Sequence, residues 1–109
     1  MTDRDRQSLR DLITSANLVA DYLSGKTQTD FERDRMLQDA IVRRIEIIGE
    51  AATRLSPKAR NAIATVPWKQ IIGMRNIMIH QYDHVDIQLV WDTATVALPQ
   101  LVRSLQPYV

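Results

Sequence analysis

The sequence predicts an all-α protein, an antiparallel four-helix bundle with one additional short helix, and three observations carry that expectation. Glycine (3), proline (4) and aromatic residues (6%) are sparse, while Leu, Ile, Ala, Arg, Asp and Gln abound, which favours helix over a turn-rich β-architecture. Apolar residues recur at three- and four-residue intervals along the long segments, the spacing that draws one stripe down a helix. The first polar break is short, so the helices on either side of it should be antiparallel neighbours. At 109 residues and 45% hydrophobic, the chain fits one domain, 1–109, with a single core and no room for separate catalytic and binding domains.

Leu9, Leu12, Ile13, Ala16, Val19, Ala20 and Leu23 lie on one stripe and predict a first helix from Asp3 to Ser24. Gly25 and the polar run from Lys26 end it, and Thr29 with Glu32 forms a Thr-x-x-Glu capping box expected to start the second helix. That helix should continue to about Leu55, with Leu37, Ile41, Ile45, Ile48, Ala52 and Leu55 inward. Ser56 and Pro57 read as the cap and first position of a brief helix ending near Thr65, and Pro67 closes the connection. From Trp68 to about Gln81 the chain is apolar nearly all round, which predicts burial on more than one side, by the bundle and by a second subunit. Gly73 inside that helix hints at close helix approach. The last helix starts near Asp86, presents Val90, Ala94, Leu98, Leu101 and Leu105 on one face, and should kink at Pro99.

Composition removes several function classes. A net charge of +1 lacks the surplus of a protein that grips nucleic acid along a broad basic face, so any such contact must come from local clustering. The absence of cysteine excludes thiolate catalysis and Cys-based zinc sites. A di-metal helical bundle would need Glu-x-x-His partners for Glu46 and Glu50, and none is present; a bound metal or cofactor is not expected. No stretch approaches the roughly 18 apolar residues of a membrane span, and the charged start MTDRDRQSLRDL resembles no targeting segment, so a cytoplasmic protein is expected.

Three polar residues of the largely apolar fourth helix carry the most information: Arg75, Asn76 and His80. Arg75 shares a stripe with Trp68, Ile71, Ile72 and Ile79, so its charge emerges from an apolar surface and calls for an anion, either a ligand or a structural carboxylate such as Glu46 or Glu50. His80 follows Asn76 by four residues, close enough for the amide to orient the imidazole. Arg75 and His80 stand about 140° apart round one helix, so they meet most simply across a two-fold axis. A hydrogen-bonded structural histidine is the plain alternative, and His84 carries less signal still.

The run Arg75-Asn76-Ile77-Met78-Ile79-His80-Gln81-Tyr82 resembles the Arg-x4-His-x-Tyr signature of HepT-like HEPN proteins, the toxin partners of minimal nucleotidyltransferases. Ile48-Gly49-Glu50-Ala51-Ala52, Pro67-Trp68, Ile71-Ile72-Gly73-Met74, Trp91 and Leu98-Pro99 resemble the same family in the same order. The resemblance implies a HEPN-type bundle that dimerises and gathers Arg75 and His80 of both chains into one cleft, where RNA (a tRNA or an mRNA) is cut without metal. It further implies that Asn76 positions His80, and that Tyr82 accepts AMP from the nucleotidyltransferase antitoxin. Two other readings remain: a non-catalytic helical subunit that binds nucleotide or phosphate beside a nucleotidyltransferase, and a purely structural interaction bundle.

Overall fold

Helix formation begins at a reciprocal cap. Thr2 Oγ1 accepts the Asp5 N–H at 3.0 Å and the Asp5 carboxylate accepts the Thr2 N–H at 3.2 Å, satisfying two of the donors a helix start leaves unpaired. The helix that follows, α1, spans Asp3–Leu23, and Gly25 ends it in the left-handed region (φ 73°) that a residue with a Cβ rarely adopts. The computed structural model describes residues 1–80 and 86–109, with the side chains of 1–74 and 86–109.

The second expected helix is in fact two. The capping box forms two residues earlier than Thr29 and Glu32 suggest: Thr27 Oγ1 accepts the Asp30 N–H at 3.1 Å and the Asp30 carboxylate accepts the Thr27 N–H at 2.9 Å. It opens only a short helix, α2, over Gln28–Glu32. Asp34 then caps afresh, accepting the Leu37 N–H at 3.0 Å, and α3 runs Arg35–Thr53. A short carboxylate that bonds the backbone ahead of it competes with helix continuation, and here it wins. The Gln38 amide covers the break, donating to the Phe31 and Glu32 carbonyls at 2.9 and 3.1 Å. Phe31 is fully buried and tilts against Trp91 at 5.5 Å, pinning α2 to the far end of the chain.

Helix α4, Pro57–Ala62, has the expected Ser56 cap and Pro57 start, and ends three residues before Thr65. Helix α5 spans Trp68–His80, and α6 spans Ile87–Asp92 with Asp86 as its cap. Near Pro99, where a kink is expected, the helix widens into a π-helical segment over Thr93–Ala97 before α7 resumes at Leu98–Leu105. The Leu98 N–H reaches back to the Thr93 carbonyl, five residues away, instead of four. The last helix is therefore three consecutive segments.

Helix α3 is the centre of the packing, with α1 on one side and α5 on another. Its start follows the end of α1 through α2 and the turns on either side of it, and its far end meets the start of α1: Asp5 accepts both the Ser56 N–H (2.8 Å) and the Ser56 hydroxyl (2.9 Å), so the two helices are antiparallel as expected. Leu9, Leu12 and Val19 of α1, Ile41, Ile45 and Ile48 of α3, and Leu98 and Leu105 of α7 are excluded from solvent together. Burying a side chain of this kind contributes about 1.5–3 kcal/mol, and this shared core closes the bundle. Among the described residues there is no strand, and no helix is long and apolar enough to cross a membrane.

Gly73 does not mark a close helix approach within the chain. A Cβ built there would meet nothing within 4 Å.

Candidate active site

Helix α5 is held by its first turn. The Trp68 indole N–H donates to the Ile63 carbonyl at 3.0 Å, and the Gln70 and Ile71 amides bond the Pro67 carbonyl, so the residues before the helix fix where it starts. Trp68 and Ile71 are buried, while Ile72 and Met74 are half-buried against the core. The sequence accounts for this anchoring: proline favours the entry to a helix, and a tryptophan goes inside when its N–H finds an acceptor.

Arg75, Asn76 and His80 occupy the second half of this helix, so the anchored first turn and the packing against α3 determine where they are carried. Their side chains lie outside the described residues, as do Tyr82 and His84. The two carboxylates offered as structural partners of Arg75 both meet a cation of α3, while the pairing of Arg75 itself lies outside the described residues. Arg43 contacts Glu46 at 3.2 Å and Glu50 at 3.6 Å, and both acids are partly covered, their side chains 22% and 34% exposed. Exposed pairs of this kind contribute little to stability, on the order of 0–1 kcal/mol. What matters for the site is that the acids on α3 share a counter-charge from their own helix.

Among the described residues two carboxyls are held below their ordinary range, and both serve helix caps. The Ser56 backbone N–H, with the Ser56 hydroxyl and Thr2 assisting, lowers Asp5 to about 2 against the cost of its burial. The Thr27 backbone N–H lowers Asp30. Among the described residues no three His, Cys, Asp or Glu side chains gather as a metal-binding group would require.

The structure also contains a groove that the sequence reading missed. It has a volume of about 370 Å³ and lies between the start of α5 and the junction of the π segment with α7, lined among others by Val66, Gln70, Ile71, Met74, Gln100 and Leu101. Its signal in the sequence was weak, one glutamine on each of two helices that also carry other polar residues.

Comparison with known proteins gives a consistent picture. The family described as "Ribonuclease HepT-like" matches residues 12–107. A candidate RNase of Methanocaldococcus jannaschii is 33% identical over 107 residues, covering 97% of this chain and 98% of that protein. A candidate RNase of Caldanaerobacter subterraneus subsp. tengcongensis is 34% identical over 101 residues, covering 93% and 90%. A longer M. jannaschii protein, named both gamma-glutamylcyclotransferase and candidate RNase, is 40% identical over 97 residues; the match covers 89% of this chain and 44% of that protein, so this chain spans less than half of it. No solved structure gives a significant match.

Proposed function

Because this chain belongs to the HepT-like ribonuclease family, we propose that it is the toxin of a toxin–antitoxin pair, a cytoplasmic, metal-independent endoribonuclease that works as a homodimer. The observation that carries this reading is the extent of the family match: residues 12–107 include the whole Arg75–Tyr82 run and nearly all of the bundle that supports it. An RNA strand can be cut by its own 2′-hydroxyl, which attacks the adjacent phosphorus as the P–O5′ bond breaks. The reaction needs a base for the hydroxyl proton, an acid for the leaving oxygen and positive charge on the phosphorane-like transition state. His80 supplies proton transfer and Arg75 the charge, each doubled by the second subunit, and Asn76 orients His80. Tyr82 is the acceptor of AMP that a minimal nucleotidyltransferase antitoxin transfers from ATP, the phenolic oxygen bonding the α-phosphorus as pyrophosphate leaves. The added phosphates place negative charge beside the cleft and repel RNA.

The test uses purified chain with excess chelator and a labelled RNA. Cleavage is expected without added metal, and Arg75→Ala or His80→Ala should slow it by about a hundredfold or more while the dimer persists in size-exclusion chromatography. A requirement for a divalent ion, or an undiminished rate in His80→Ala, would overturn the reading. Nucleotide binding with intact RNA would favour the non-catalytic subunit instead.

A further inference from the structure

The acidic residues of this chain are segregated. All 13 fall in residues 1–50 and 83–92, whereas 51–82 and 93–109 contain none and carry Arg54, Lys58, Arg60, Lys69, Arg75 and Arg103. The near-neutral total therefore conceals a cationic half and an anionic half. Of the described cations in the acid-free stretches, Arg54 reaches across to Asp11 at 3.5 Å. Lys58, Arg60, Lys69 and Arg103 make no ion pair among the described residues.

The groove is built entirely from those two acid-free stretches, Thr65 to Met74 on one wall and Ala97 to Ser104 on the other. Its floor is apolar, with Val66, Ile71 and Leu101 buried. Gln70 and Gln100 line it from opposite walls, both exposed, and neither side-chain amide has a protein partner among the described residues. Lys69 and Arg103 are the sequence neighbours of the lining residues Gln70 and Ser104, and both are exposed. Met74 lines the groove and Arg75 follows it; Ile71, also in the lining, precedes Arg75 by one helical turn, an axial step of about 6 Å. A concave, mostly apolar site with a few converging amide groups suits a planar polar ring, and a volume near 370 Å³ lies in the range of small-ligand sites.

We propose that this groove seats an unpaired base of the RNA strand, with Gln70 and Gln100 reading its edge and Lys69 and Arg103 holding the flanking phosphates. The inference rests on the ribonuclease reading and deepens it: the substrate is single-stranded at this point, and the strand runs from the groove toward the Arg75 end of α5. Charge complementarity selects RNA over a protein segment as the occupant, because an RNA strand brings a phosphate at every nucleotide to a groove whose lining holds no acid among the described residues and whose lining residues have exposed cations beside them in sequence.

The experiment measures binding separately from cutting, with the full chain carrying His80→Ala and a fluorescent single-stranded RNA followed by anisotropy across a salt series. Adding Lys69→Gln with Arg103→Gln should weaken binding and reduce the slope of log K against log salt by about 1.4, two phosphate contacts at about 0.7 each. Gln70→Ala with Gln100→Ala should raise Kd about tenfold with the slope unchanged, since two neutral hydrogen bonds are lost and no charge is. Arg4→Gln with Arg10→Gln, the same charge removed from the exposed face of α1, should leave the slope as it was. Equal binding by all these variants overturns the groove, and cleavage by the unsubstituted chain would show that the nuclease reading survives it. Variants that keep RNA affinity and lose only a purified antitoxin make the groove a protein interface and overturn it equally. If the unsubstituted chain fails to cut RNA while the parent binds it with the predicted slopes, the groove stands and the nuclease reading falls.

Discussion

Gly73→Ala should stabilise the protein. The residue sits in the interior of α5, its φ is not positive, and among the described residues a Cβ at this position would meet nothing within 4 Å beyond its own helix backbone and chain neighbours. Glycine costs a helix interior about 1 kcal/mol relative to alanine, chiefly through the backbone freedom it must lose, and no steric penalty offsets the gain here. For a domain of this size that gain corresponds to a rise in melting temperature of about 4 °C. The assay is thermal unfolding followed by circular dichroism at several protein concentrations, because assembly stabilises the folded state by mass action. If a second copy packs on this face, the new methyl obstructs it, and the gain should shrink as concentration rises to where the dimer forms. Melting below wild type at the lowest concentration would refute the reasoning, since it would mean that α5 has no room at Gly73 within a single chain.

Stability should fall in acid in a way traceable to Asp5. Its folded value of about 2 lies below the unfolded value near 3.8, so its contribution is complete above the unfolded value and is lost as pH falls from about 4 through about 2; Asp5→Asn should flatten that part of the pH–stability curve, measured by urea unfolding. Phe31→Ala should cost about 3–5 kcal/mol, because it empties a fully buried site and removes the Trp91 contact, and a loss under 1 kcal/mol in denaturant titration would show that α2 is not anchored there.

Several elements were legible because their chemistry is local. Ser56-Pro57, Asp86 and Gly25 announce helix ends by what their own side chains, or the lack of one, can do to the nearest backbone. The break before α3 was not legible, because Thr27-x-x-Asp30 and Thr29-x-x-Glu32 are both eligible boxes two residues apart. An aspartate such as Asp34 reads equally well as an interior residue, and the choice went with the burial of Phe31 against a residue sixty positions later. Gly73 was not legible for a related reason: a helical glycine signals either an approaching neighbour or an open face, and the three-dimensional surroundings show an open one within a single chain. The site divides in the same way. Arg75, His80 and Tyr82 lie within one octet and form a recognisable pattern, whereas the groove joins two walls some thirty residues apart, each with one unremarkable glutamine.

The π segment shows how a periodicity visible in the sequence becomes a functional surface. Val90, Ala94, Leu98, Leu101 and Leu105 are all buried, and in an ideal α-helix they would fall within a stripe about 80° wide, one face of the helix. The wider turn over Thr93–Ala97 takes up more residues per revolution and so shifts the face that α7 presents relative to α6, while leaving Leu98, Leu101 and Leu105 buried. Pro99 favours the same solution, because its ring would crowd the Thr95 carbonyl four residues earlier in a regular helix. Seating Leu98, Leu101 and Leu105 inward leaves Ala97, Gln100 and Ser104 on the flank that meets the start of α5, and these are residues of the groove wall. The face that α7 presents after the irregularity thus brings the second glutamine to the cleft beside Met74, one residue before Arg75.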